Sequence, residues 1–236
     1  MAESKVIAPV VERNEIVDRA KGFWDKFSKP IIIVGAALIL IIGGWLVYKN
    51  LIVAPKEVKS ADLIYPSEQL FDKMVQTGFN KDSINLVLNG GNGVPTGVLK
   101  IASNYDGTAA GNRANFIAGA CYLHSKDFNK AIKYLKEFST SATQVQTAAY
   151  SMIGDAYSEL KKNEDALEYY KKAAEVNEKD EYTTPEFLFK AALFAETIGK
   201  TKEALELYKK IKTDYPASER AGNVDRYLAR LGEVAD

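Results

Sequence analysis

The chain has 236 residues, of which 47% are hydrophobic and 26% charged, a composition typical of folded proteins. Its 31 basic and 31 acidic side chains balance, so no excess of positive charge favours nucleic acid as a partner. The single cysteine, Cys121, excludes an internal disulfide and a multi-cysteine zinc site, and the single histidine, His124, leaves no histidine cluster. The sequence therefore predicts a protein that is not an enzyme, with no cofactor, metal site or small-molecule substrate.

The first predicted element is an apolar helix. Residues 31–48 read IIIVGAALILIIGGWLVY, without one charged side chain. Eighteen helical residues extend roughly 27 Å, close to the hydrocarbon thickness of a bilayer. Pro30 suits a helix start, and Trp45 and Tyr48 suit the headgroup boundary. We predict a single transmembrane anchor over residues 30–54; a buried core helix is the alternative.

The sequence around the apolar run predicts how the anchor is processed and oriented. The run follows a long mixed-charge stretch and ends without a small-x-small cleavage site, so we expect the anchor to be retained. Basic residues both precede and follow it: Arg19, Lys21, Lys26 and Lys29 before, and Lys49, Lys56 and Lys59 after. The positive-inside rule then favours a cytoplasmic tail over residues 1–29, with the larger part of the chain outside the cytoplasm.

An internal repeat follows the anchor. Small residues recur at Gly119, Gly154 and Ala192, at intervals of 35 and 38 residues, and an alanine follows each of them twelve residues later. We expect the small residues to let two helices of a hairpin pack closely, and tyrosines to fill the gap to the neighbouring hairpin. The predicted repeat-packing residues are Gly119, Tyr122, Ala131, Gly154, Tyr157, Ala166, Tyr170, Ala192, Ala204, Tyr208 and Pro216.

Other segments extend the helical pattern on both sides. Residues 62–77 and 82–88 predict a degenerate hairpin, and a glycine-rich segment separates it from a helix near 96–105. Asn163 and Thr201 are suitable caps for the second helices of two hairpins. Residues 219–234, rich in arginine and aspartate, predict a capping helix with a polar outer face.

This arrangement resembles the tetratricopeptide repeat family over residues 112–216, and more loosely over 63–105. The resemblance implies an all-α fold in which a single N-terminal transmembrane helix precedes an α-solenoid of helical hairpins with a C-terminal capping helix. Residues 55–106 would form degenerate hairpins, and residues 107–236 the solenoid and its cap. An unrelated helical bundle is the alternative.

The resemblance also implies a groove along the first helices of the hairpins. The cluster of Lys, Arg and Asn with which some family members clamp a terminal carboxylate is absent. The predicted groove residues are instead apolar and acidic: Phe116, Leu123, Asp155, Glu159, Glu186, Phe189, Leu193 and Glu196. We expect them to accept an apolar or basic segment of a partner protein. Alternatively, half of them are core residues and the acids form a solvated face.

Tail, span and solenoid together resemble the ancillary SecYEG translocon subunit family (the YfgM-like proteins). This resemblance implies an inner-membrane protein with a cytoplasmic amino terminus and periplasmic repeats. Its expected partners are the SecYEG translocon and periplasmic chaperones or secreted clients. The alternative is an organelle-surface import receptor or assembly adaptor with its repeats in the cytosol.

Overall fold

The computed structural model describes residues 10–233, and the chain divides after Pro55 into two units. The first unit holds helix α1 (Val10–Tyr48) and a π-helical segment, Lys49–Val53. Pro30 lies inside α1 and not at its start, so the helix begins about twenty residues before the predicted position. The missing N–H of Pro30 removes one helical hydrogen bond but does not end this helix.

The apolar run of α1 is exposed on all sides within its own unit. Ile33, Ile39 and Leu40 are 68%, 71% and 75% exposed. Among residues 10–233, this run belongs to the one helix that is long and apolar enough to cross a membrane. A helix that is hydrophobic all round is stable in lipid or in a protein interior, and not in water. The segment is therefore compatible with a membrane anchor.

After the π-helical segment, the described chain is helical apart from one isolated β-bridge between Gly91 and Val94. The helices are α2 (Ala54–Thr77), α3 (Lys81–Asn89), α4 (Val98–Asn104), α5 (Ala109–His124), α6 (Phe128–Lys136), α7 (Thr143–Glu159), α8 (Asn163–Glu175), α9 (Thr183–Thr197), α10 (Thr201–Asp214) and α11 (Glu219–Arg230). The prediction of an all-α fold is confirmed.

Three helical hairpins, α5–α6, α7–α8 and α9–α10, follow one another in the second unit, and α11 packs against α9 and α10 as the capping helix. Each hairpin turn contains a residue with positive φ: Lys126 at 64°, Lys161 at 60° and Gly199 at 80°. These positions are separated by 35 and 38 residues, the same intervals as the sequence repeat. The repeat in the sequence is therefore a repeat of backbone conformation.

Two apolar clusters form the interior of the second unit, one spanning α2 to α5 and the other α6 to α11. Helix α2 is longer than predicted and is joined to α5 by a polar contact. The carboxylate of Glu57 accepts a hydrogen bond from the backbone N–H of Ala109 at 3.1 Å. An acidic group at a helix N-terminus satisfies an otherwise unpaired N–H and is favoured by the helix dipole.

The predicted caps of the second helices are wrong by one position. Asn163 and Thr201 are the first residues of α8 and α10, and the cap positions belong to Lys162 and Lys200, whose side chains make no capping hydrogen bond. The turn residue with positive φ returns the chain to the helix one residue earlier than expected. The acidic first turns of these helices still match the helix dipole.

Candidate functional site

The predicted small residues lie where two helices of one hairpin approach each other. A Cβ atom added to Gly119 would lie 2.4 Å from Cγ of Leu135, and one added to Gly154 would lie 2.6 Å from the ring of Tyr170. Real Cβ atoms do not make contacts this short. Glycine therefore sets the spacing between first and second helices in two of the three hairpins.

The predicted tyrosines take two different positions. Tyr170 on α8 reaches the next hairpin, where its ring meets Phe194 edge-on with centroids 5.1 Å apart. Tyr122 on α5 instead stacks on Tyr134 of its own hairpin at 5.6 Å. Of the other predicted packing residues, the following are buried: Ala131, Tyr157, Ala166, Ala192, Ala204 and Tyr208. Pro216 is exposed in the turn before α11.

The predicted groove residues line two separate cavities. Glu186, Phe189 and Leu193 line a cavity of about 550 Å³ around α9, which we call the α9 cavity. Phe116 lines a second cavity, of about 530 Å³, between α2, α5 and the start of α7, which we call the α2–α5 cavity. The remaining predicted groove residues line neither cavity: Leu123, Asp155, Glu159 and Glu196.

Asp155 is held by a cation from the next hairpin. Nζ of Lys190 lies 2.7 Å from Oδ1 of Asp155 and also donates to the hydroxyl of Ser151 at 2.7 Å. The phenol of Tyr170 donates to the same carboxylate at 2.8 Å. Burial, with a further contribution from Asp155, raises the pKa of Tyr170, so this side chain remains a neutral donor.

Glu186 and Glu196 are held in the same way by α11. Arg220 forms a bidentate pair with Glu186, with N–O distances of 2.7 and 2.5 Å, and its guanidinium lies 4.5 Å from the ring centroid of Phe189. Arg230 lies 2.7 Å from Glu196. Among the predicted groove acids, all in the described part of the chain, only Glu159 lacks an ion-pair partner.

These ion pairs follow the repeat. The acid and its base are 35 residues apart for Asp155 and Lys190, and 34 apart for Glu186 and Arg220. They therefore join equivalent helices of successive repeats and neutralise the acids that we predicted to be free. The sequence analysis missed these bases, although a search for opposite charges one repeat apart would have found them.

The pair between Arg220 and Glu186 gives a prediction for stability. Partly exposed ion pairs contribute about 0.5–1 kcal/mol, and a cation over an exposed aromatic ring a similar amount. We expect Arg220→Ala to lower the free energy of unfolding by about 1–2 kcal/mol, and Glu186→Ala by less, because Arg220 then still covers Phe189. Urea unfolding followed by circular dichroism of the whole chain in detergent measures both. An equal loss for the two variants would contradict the stacking contribution.

Two residue types that often carry chemistry are in unreactive surroundings. Burial raises the pKa of the Cys121 thiol to about 12, which keeps it protonated at neutral pH. His124 stacks on Phe79 at 3.6 Å, and partial burial lowers its pKa. Between residues 10 and 233, no group of three or more His, Cys, Asp or Glu side chains is arranged to hold a metal ion.

The hairpins and their spacing define a helical-repeat protein with a groove along its first helices. Residues 147–180 and residues 186–218 each match a family model described as tetratricopeptide repeat. No curated protein matches the chain in sequence. The two hairpins α7–α8 and α9–α10 are thus tetratricopeptide repeats, and the domain they belong to is a protein-interaction scaffold.

Proposed function

We propose that this protein is a membrane-anchored scaffold that captures segments of partner proteins along the groove of its tetratricopeptide repeats. The observation that carries the proposal is the α9 cavity, which lies on the first helix of a matched repeat and is lined mainly by apolar side chains. The apolar run of α1 supports the membrane part of the proposal.

The α9 cavity suits binding driven by apolar burial. Phe187, Leu193 and Phe194 are half-buried around it, and Thr197 is exposed at its edge. Its charged residues already have partners within the protein, so they would orient a bound segment more than attract it. Burying apolar surface contributes roughly 25 cal/mol per Å² before the cost of ordering the partner is subtracted. Phe189, only 6% exposed, would support the cavity from beneath.

The finer proposal is an ancillary subunit or co-chaperone at the SecYEG translocon. It has a cytoplasmic amino terminus and periplasmic repeats that meet periplasmic chaperones or secreted clients. Its support is the resemblance of one span followed by helical repeats, together with the basic residues before the span. A cytosolic import receptor or assembly adaptor is the competing function, and the orientation of the repeats distinguishes the two.

Site-specific photo-crosslinking tests the capture of partners. We expect a photoreactive residue at Thr197, introduced into the full-length chain in its native membrane, to give discrete adducts with partner proteins. The same residue at Asp165, which is exposed on α8 and lines neither the α9 nor the α2–α5 cavity, serves as the matched control. Gel mobility and mass spectrometry identify the adducts. Equal adducts from both positions, or none from Thr197, would reject the α9 cavity as the binding site.

A further inference from the structure

The α2–α5 cavity lies outside the two matched repeats, and its lining suggests a distinct ligand. We propose that it is an anchor site for a partner segment in which an aromatic or aliphatic side chain stands next to a lysine or arginine. The inference rests on the proposed function as a scaffold, but it assigns binding to α2 and α5 rather than to α9.

Aromatic rings form the inner part of this cavity. Phe116 lies between Phe71 and Phe138, with ring centroids at 6.5 and 5.0 Å. The edge of the cavity is also apolar, because Tyr65 is 60% exposed and Val145 39% exposed. A side chain inserted here would meet aromatic faces and cover both exposed residues.

Exposed apolar surface is concentrated at this place. From residue 56 to residue 233, the exposed large apolar side chains are Val58, Tyr65, Val75, Val145 and Tyr182. Two of these five, from different helices, line the same cavity. Apolar surface gathered around a concavity is typical of an interaction site, whereas single exposed apolar residues are ordinary.

The charge at the rim selects a basic partner. Glu68 and Asp72 lie one turn apart on α2, a spacing at which like charges repel. Arg113 lies 2.7 Å from Glu68, whereas Asp72 is exposed and has no cationic partner among the described residues. A cation placed beside Asp72 would relieve the repulsion, and an anion would increase it.

This arrangement differs from that of the α9 cavity. There, Glu186 is paired with Arg220, and Lys190 with Asp155, so neither lining base nor lining acid is free. In the α2–α5 cavity one carboxylate remains available. Of the two cavities, this one therefore has the charge that discriminates between basic and acidic segments.

A small probe tests the site in the full-length chain in detergent micelles. We expect N-acetyl-phenylalanyl-lysine amide to shift the ¹³C-methyl resonances of Val145 and Ile117, which line the cavity, in a saturable manner. The corresponding glutamate dipeptide and the glycyl-lysine dipeptide should bind at least about threefold more weakly. Unmoved Val145 resonances, or equal binding of the lysine and glutamate probes, would overturn the proposal.

Matched variants separate the charge from the apolar contribution. Asp72→Asn should weaken binding of the lysine probe about two- to fivefold, while Asp62→Asn, also exposed on α2 but outside the cavity, should leave it unchanged. Tyr65→Ser should weaken binding of both the lysine and the glutamate probes, and Val75→Ser neither. An effect of the same size in the control variants would count against the cavity.

This result can be told apart from failure of the proposed function. If Thr197 gives partner adducts and Val145 does not respond to the probe, the scaffold function stands and the α2–α5 site is wrong. If Val145 responds as expected and Thr197 gives no adducts, the α2–α5 site stands and the α9 cavity is rejected.

Discussion

Replacing Gly154 with alanine is expected to lower the free energy of unfolding by about 1–3 kcal/mol, although alanine is normally the better helix former. The added Cβ would lie 2.6 Å from two ring carbons of Tyr170 and 3.2 Å from the carbonyl oxygen of Ala166. The ring cannot move away easily, because Tyr170 is 4% exposed and its phenol is bonded to Asp155. Relief therefore requires the two helices of the hairpin to separate, which opens the core.

Gly222→Ala provides the matched control. Gly222 lies within α11, and a Cβ there would meet no heavy atom within 4 Å. This variant should gain about 0.5–1 kcal/mol from helix propensity. Urea unfolding of the full chain in detergent, followed by circular dichroism at 222 nm, compares the two. If both variants were stabilised alike, the close approach of α7 and α8 would be wrong.

Placing arginines in the apolar run should release the protein from the membrane. Leu38 and Ile42 lie one turn apart in this run and are 53% and 56% exposed. Each arginine near the centre of a span costs about 3 kcal/mol on insertion scales, in addition to the favourable contribution of the lost Leu or Ile. We expect Leu38→Arg/Ile42→Arg to appear in the soluble fraction after a carbonate wash, with a carboxy-terminal alkaline phosphatase fusion inactive.

The parent fusion and a second variant complete this experiment. The parent chain should stay in the pellet with an active phosphatase, as the proposed periplasmic repeats require. Val58→Arg/Asp62→Arg, with the same spacing but on α2, should behave like the parent. A parent that stays in the pellet with an inactive phosphatase supports the cytosolic adaptor, and a parent released by carbonate contradicts the anchor.

The repeat was predictable because it depends on local residue types at fixed spacing. Two helices can pack closely only where small residues face each other, so Gly154 and Ala166 at an interval of twelve are enough to indicate a hairpin. The apolar run was equally predictable, since eighteen residues without a charge have few stable surroundings. Helix limits were less predictable: Pro30, expected at a helix start, lies inside α1.

The sequence by itself determined the helical class, the repeat interval and the apolar run, because each is written in the order of neighbouring residue types. Only the tertiary structure decided which groove acids are free, since Asp155 and Glu186 find their bases about one repeat away, on a different helix. It alone also brought Tyr65 of α2 and Val145 of α7 to one cavity, beside the unpaired Asp72. Charge balance and cavity shape depend on how hairpins superpose in space, a relation that periodicity along one helix does not contain.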